Sequence, residues 1–264
     1  MKGMRLSYIN LASCSELTDI SPLKGMPLSE IVLYQTKVED ISPLKGMKLR
    51  QLKIYSTRVS NLAPLKDMPL TKLVCYQTPV VELASLRGMR LTYLDVYNTS
   101  VGDLSPLKGM PLSYLKIAYT KVKDLTPLQD MPLAALDLNY CQVRDLSPLK
   151  GMPLRNLNIE GTQVSDLSPL RGGKLTHLKM ECTNVRDVSP LSGMPLTYLS
   201  LQPWRVTRGW NVLRKMDTLA SIVVGPDHDH NYTKYAPDEF WKRYDAGEFH
   251  SDKSKSKGRP QAAQ

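Results

Sequence analysis

Residues 111 to 131, PLSYLKIAYTKVKDLTPLQDM, are the unit from which most of the chain is built. Copies spaced 21 residues apart begin at Pro27, Lys48, Pro69, Arg90, Pro111, Pro132, Pro153, Lys174 and Pro195, and a first copy, residues 5 to 26, carries one extra residue. A regular period of about 20 to 29 residues is the mark of a solenoid, whose units bury their apolar faces against one another. Apolar side chains fill positions 2, 5, 7, 12, 15, 18 and 21 of the unit: Leu112, Leu115, Ile117, Val122, Leu125, Leu128 and Met131.

Positions 5 and 7 are apolar between polar neighbours. Positions 4 to 8 therefore form a short strand with one face buried, and successive copies lay strand beside strand in parallel. In the second half, DLSPL or DLTPL, a Ser or Thr at position 16 can cap a turn that begins at the proline of position 17, where a missing N–H does no harm. Only one leucine follows before Lys-Gly-Met, which limits this element to a winding or two of helix or 3₁₀. Glycine at position 20, as in Gly25, Gly46, Gly109 and Gly151, supplies the positive φ that turns the chain back. The expected fold is α/β: a solenoid with a parallel concave sheet, short 3₁₀ or helical turns on the convex side, and a C-terminal helical cap.

The run L-x-x-L-x-[LIV]-x-x-T-x-[VL]-x-D-[LI]-S-P-L-K-G-M resembles the leucine-rich repeat family in its short, bacterial, internalin-like form. The SPLKGMPL punctuation and the closing EFWKRYDAGEF, residues 239 to 249, are similar to repeat segments found beside bacterial serine/threonine protein kinase domains. The resemblance covers residues 1 to 250 and implies a leucine-rich repeat solenoid that binds protein. It implies no particular ligand. Position 10, usually Asn in that family, is Thr36, Thr57, Thr78, Thr99, Thr120, Thr162 and Thr183 here, with Cys14 and Cys141. A Thr hydroxyl can still bond the backbone where the chain leaves the strand.

Of the 264 residues, 42% are hydrophobic, enough for a core, and the repeat runs unbroken, so the chain reads as one solenoid. Both phenylalanines (Phe240, Phe249) and all three tryptophans (Trp204, Trp210, Trp241) follow the last regular copy and mark a capping segment. The expected division is a solenoid over 1–202, with a partial repeat at 1–4 and ten repeats from residue 5, then a cap over 203–249 with one terminal strand and a helix. Residues 250–264 read as a disordered basic tail. No apolar run approaches a membrane helix, and residues 1 to 20 lack a signal-peptide pattern, so the expected compartment is the cytoplasm. Cys14, Cys75, Cys141 and Cys182 sit on copies too far apart to pair and read as reduced thiols.

Three surface rows follow from the register. Outward strand positions 4, 6 and 8 face the concave side. Tyr34, Tyr55, Tyr76 and Tyr97 occupy position 8 in four successive copies, Tyr119 and Tyr140 continue at position 9, and Tyr8, Tyr93, Tyr114 and Tyr198 stand at position 4. Lys53, Asp95, Lys116 and Asp137 are among the charged residues at position 6. Tyrosine amid mixed charge is the composition of a recognition surface, and the competing reading is an aromatic ladder that only stabilises the sheet. The second row pairs basic residues at position 19 with acidic residues at position 14, which reads as a mutually compensating exterior. The third, a methionine at position 21 of most copies, reads as core.

The opening MKGM matches the end of a unit, so the frame begins inside a repeat and the first strand edge is expected to be uncapped, with self-association as the consequence. The tenth copy breaks down at Gln202-Pro203-Trp204, residues 218 to 224 repeat the strand pattern once more, and a helix over 237 to 246 is expected to lie over the last strand edge. Asp227-His228-Asp229-His230 reads as a polar turn, because alternating His and Asp without a distant third ligand is a weak zinc signal. No phosphate loop, kinase catalytic sequence, nucleophile elbow or HExxH helix is present.

The sequence therefore predicts a non-catalytic scaffold without cofactor or metal, the recognition part of a larger bacterial signalling protein, binding a protein partner through the twelve residues Tyr34, Tyr55, Tyr76, Tyr97, Tyr93, Tyr114, Tyr119, Tyr140, Lys53, Asp95, Lys116 and Asp137. The alternative is nucleic-acid binding through tyrosine stacking, the basic tail and the net charge of +10.

Overall fold

The computed structural model describes residues 6 to 225 and 231 to 249; the opening MKGM, the His-Asp loop and the basic tail lie outside the described residues. One sheet of 12 strands runs through the described chain in sequence order. Nine three-residue strands come first: β1 (Tyr8–Asn10), β2 (Glu30–Val32), β3 (Gln51–Lys53), β4 (Lys72–Val74), β5 (Tyr93–Asp95), β6 (Tyr114–Lys116), β7 (Ala135–Asp137), β8 (Asn156–Asn158) and β9 (His177–Lys179). They are followed by β10 (Tyr198–Leu201), β11 (Ser221–Val224) and β12 (Thr233–Tyr235). From β1 to β11 each pair is parallel and in register, Leu94 opposite Leu115 and Leu115 opposite Leu136, so every copy repeats the same pairing.

Each repeat returns to the next strand through a single 3₁₀ turn such as Ser105–Leu107 or Ser147–Leu149. The apolar positions of the type copy are all buried, and the position 21 methionines from Met47 onward are buried with them, as core. Two left-handed positions per repeat bend the path. Position 20 is one, with φ near +75° at Gly25, Gly46 and Gly109. Position 9 is the other, and there the left-handed residue is usually not glycine: Gln35, Ser56, Gln77, Asn98, Tyr119, Tyr140 and Cys182 all have positive φ. The position 10 hydroxyl then donates back to the strand it has left, Thr57 Oγ1 to the Ile54 carbonyl at 2.6 Å and Thr120 Oγ1 to Ile117 at 2.6 Å.

The acidic row at position 14 has a different function from the one its sequence suggests. Asp145 Oδ1 accepts the Ser147 N–H at 2.7 Å and Oδ2 accepts the Ser147 hydroxyl at 2.6 Å, and Asp19, Asp40, Asp103 and Asp166 repeat both bonds. The serine thus donates to the aspartate instead of capping the turn with its own oxygen, since the carboxylate is the stronger acceptor. Among the described residues no ion pair joins a position 14 carboxylate to a position 19 cation; Lys24, Lys45, Lys66 and Lys108 stand exposed in solvent.

The C-terminal segment holds more than the one strand and one helix the sequence suggests. After β10, helix α1 (Trp210–Arg214) packs beside the preceding turn Ser189–Leu191 and stands where the next 3₁₀ turn would be. The tenth copy is therefore lengthened and not abandoned. Its register step, Tyr198 opposite Ser221, then delivers β11 in parallel. The free edge of β11 is taken by β12, which pairs antiparallel with Val224 opposite Thr233. Helix α2 (Pro237–Asp245) packs against β11, ends at Gly247 with φ +81°, and buries Phe240 completely among Trp210, Trp241 and Phe249 at ring distances of 6.1, 4.9 and 5.2 Å. Strand β12 escaped sequence reading because three polar-flanked residues, Thr-Lys-Tyr, carry no apolar alternation.

Candidate functional site

In-register parallel strands stand about 4.8 Å apart, which is also the distance at which aromatic rings stack. A tyrosine repeated at one position therefore falls onto its neighbour. Tyr34 and Tyr55 stack with centroids 4.4 Å apart, and Tyr55 and Tyr76 at 4.2 Å. The next contact, Tyr76 to Tyr97, turns to edge-on at 6.2 Å. The row then shifts by one residue: Tyr97 meets Tyr119 edge-on at 5.5 Å, and Tyr119 stacks on Tyr140 at 4.7 Å. Positions 8 and 9, separate in sequence, thus form one ladder of six rings. A second ladder at position 4 has two pieces, Tyr93 on Tyr114 at 4.2 Å and, missed in the sequence, His177 on Tyr198 at 5.8 Å.

Lysines sit over these rings, and Lys116 also lies 3.9 Å from Asp137 Oδ2. Lys72 Nζ lies 4.3 Å from the Tyr93 centroid and Lys116 Nζ 4.6 Å from that of Tyr97, a favourable arrangement with the ring quadrupole. Lys53 pairs with Glu30 at 2.9 Å. Burial raises the phenol pKa values of Tyr55, Tyr76 and Tyr114, so these rings remain neutral donors and acceptors.

Position 6 is less open than the alternation suggests. Val32, Val74 and Asp95 are buried there. Asp95 Oδ1 accepts the Tyr97 N–H at 3.0 Å, Asp137 Oδ1 the Asn139 N–H at 3.3 Å, and Asn158 Oδ1 the Glu160 N–H at 3.0 Å. These side chains hold the strand exit, two residues on, in the manner of an Asx turn. Burial pushes the carboxyls of Asp95 and Asp137 above their ordinary range, with the Tyr97 and Asn139 amides opposing.

Between the two pieces of the position 4 ladder the aromatic row is interrupted by Ala135 and Asn156. A depression of about 220 Å³ opens there, bounded by Tyr114 and His177 and lined by Asp137, Asn158 and Lys179. Farther along, position 8 changes from tyrosine to the buried carboxylates Glu160 and Glu181. Sequence reasoning passed over both, because it followed the tyrosines and not the position.

The chain matches no protein-family model and no curated protein in sequence. Solved structures do share its fold. An internalin (inlF) of Listeria monocytogenes superposes with a TM-score of 0.71 at 22% identity, over 84% of this chain and 82% of that one. A second internalin of that species (inlC2) gives 0.61 at 26% identity, over 63% and 76%. The chain is a short-repeat leucine-rich repeat solenoid. The solenoid also superposes on the functional domain of InlJ of Listeria monocytogenes with a TM-score of 0.63 at 22% identity, covering 83% of this chain and about half, 49%, of that structure. The InlJ domain is described as including a cysteine ladder. In this solenoid the in-register ladders are tyrosine and threonine, and its four cysteines are free. No helix among the described residues is long and apolar enough to cross a membrane.

Proposed function

We propose that the solenoid is a non-catalytic scaffold that binds a protein partner across the tyrosine ladders of its concave face, and that it is the recognition part of a larger bacterial signalling protein. The observation that carries this reading is the six-ring ladder from Tyr34 to Tyr140, flanked by Tyr93 and Tyr114. Rings held by stacking have little rotamer freedom left to lose and offer apolar faces with hydroxyl tips, the features that make tyrosine a binding anchor. The internalin-like fold supports protein binding in general. The kinase-adjacent likeness of residues 239 to 249 supports the signalling context, and four unpaired thiols suit a reducing, cytoplasmic setting.

Charge argues against nucleic acid on this face. Outward positions 4, 6 and 8 carry Glu30, Asp95, Asp137, Glu160 and Glu181 against Lys53, Lys72, Lys116 and Lys179, so the face mixes both signs and does not concentrate the net charge of +10. A phosphate backbone would find no continuous basic track there. The test is the double variant Tyr55→Ala, Tyr76→Ala, with melting temperature and affinity measured on the same sample against a partner selected from displayed protein fragments. Affinity should fall by about tenfold or more, as for paired anchors. Unchanged affinity beside a clear loss of stability would leave the ladder a purely structural device.

A further inference from the structure

We propose that the C-terminal end of the tyrosine ladder is a pocket for one arginine side chain of the protein partner, with Tyr140 and Tyr232 as walls, Tyr119 behind them, and Glu160 and Glu181 at the base. The proposal rests on the protein-binding reading above and adds the chemistry that the partner must bring.

Three observations meet at this point. The large apolar or aromatic side chains that stand most exposed among the described residues are Tyr8, Val81, Tyr119, Tyr140 and Tyr232, and the last three gather here. Tyr119 and Tyr140 occupy the left-handed position with φ of 54° and 55°, where most other repeats place Gln, Ser, Asn or Gly. A bulky residue is strained in that region, and such strain collects at binding sites. The ring of Tyr140 lies over Gly161, where an added Cβ would stand 2.7 Å from it, so the neighbouring repeat is cut back to receive the ring.

Beneath the rings lie two carboxylates on adjacent strands. Glu160 accepts the Tyr232 hydroxyl at 2.5 Å. Glu181 is 1% exposed; its Oε1 accepts the Ser200 hydroxyl, and its Oε2 is buried with no hydrogen-bond partner. Lys179 and Arg205 are the nearby cations, and neither forms an ion pair with Glu160 or Glu181 among the described residues. Burial and then the charge of Glu160 push Glu181 up to about 7, against backbone hydrogen bonds and the charge of Lys179.

The missing element is a cation with donors. Among the described residues no three ligating side chains gather as a metal ion would require. Tyrosine faces favour an organic cation, and a guanidinium can lie flat on a ring while its forked N–H groups reach a carboxylate. An arginine satisfies both halves of the pocket at once.

The test uses the full chain with ring-labelled tyrosine, titrated with N-acetyl-arginine amide at pH 8 and followed by NMR. Ring signals of Tyr140 and Tyr232 should shift and saturate, while N-acetyl-citrulline amide, equal in shape and uncharged, should leave them in place. Glu181→Gln should weaken the arginine response about tenfold, as for loss of one partner of a close charge pair. Glu160→Gln provides a second, independent variant, and melting temperature confirms that both are folded. Equal response to citrulline, an unaltered response in both variants, or displacement of the arginine probe by magnesium or calcium would overturn the pocket. Because Tyr55 and Tyr76 lie in other repeats, Tyr55→Ala, Tyr76→Ala keeps the arginine response whether or not it still captures the partner. A failure of the wider reading is thereby separated from a failure of this one.

Discussion

Gly161 and Gly151 both have positive φ, +66° and +78°, but they stand in different surroundings. Around Gly151 a Cβ would meet nothing within 4 Å, whereas at Gly161 it would collide with the Tyr140 ring. Gly151→Ala should cost only the left-handed backbone penalty, about 1 kcal/mol, and Gly161→Ala clearly more, together with a changed Tyr140 ring environment. Urea denaturation of the two variants, with tyrosine ring shifts, checks the difference. Glu181 gives a pH prediction of opposite sign to that of the exposed turn aspartates. Its folded pKa, raised to about 7, makes the native chain bind more protons than the unfolded chain between that value and the ordinary glutamate range. Stability should therefore fall as pH rises through 7, by up to about 3 kcal/mol, and Glu181→Gln should remove that slope. Melting temperatures from pH 5 to 8 on both proteins decide it.

At the level of the element, the 3₁₀ turn depends on its aspartate. At Asp40, Asp145 and Asp166 the serine hydroxyl and then its N–H hold the carboxyl below the usual range, and at Asp19, Asp103 and Asp187 the N–H comes first. Depressed in the folded state, these groups contribute stability that is complete above the unfolded aspartate range near pH 4 and is lost as pH falls below it. Acid unfolding should begin there, and Asp145→Ala should lower stability by about 1 kcal/mol at neutral pH, as for loss of a cap. Two turns are built less well. Asn61 gives one bond, to the Ala63 N–H at 2.8 Å, and the turn Ala84–Leu86 follows Glu82 with alanine in place of serine. Glu82→Asp with Ala84→Ser should raise the melting temperature by restoring both bonds, worth about 1 kcal/mol.

The same repetition explains what the sequence could and could not tell. Leu115, Ile117 and Val122 recur at fixed spacing in every copy, so strand, core and stacking were legible from any one of them. Asp145 was visible as a row, but its bond to Ser147 was not, because spacing alone does not tell capping from charge compensation. Tyr119 and Tyr140 are legible as the continuation of the row at position 9, but the turn of Tyr97 to edge-on contact and the left-handed backbone that carries the shift are not. Glu160 and Glu181 are single departures from the pattern, and a consensus averages such residues away. Tyr232 reaches Glu160 from 72 positions along the chain, a contact with no local sign.

Across the whole molecule the two ends are unequal. At the C-terminal end Phe240, Trp210 and Phe249 close the core, and deleting residues 236 to 264 should expose that surface and cost several kcal/mol or solubility. A truncated chain that melts cooperatively at the original temperature would sink the capping account. At the other end β1 pairs with β2 on one side only among the described residues. Sedimentation should therefore show association rising with concentration, and a strictly monomeric profile would count against an open edge.

Between Pro27 and Pro195 every junction is the same 21-residue step. Excising any whole step rejoins chemically equivalent atoms, whereas removing one residue more or fewer would turn each following side chain of a strand to the opposite face. Reach along a partner is thus inherited in discrete cassettes: a single duplication or loss of residues 111 to 131 lengthens or shortens the recognition face by one strand and leaves the C-terminal closure as it was.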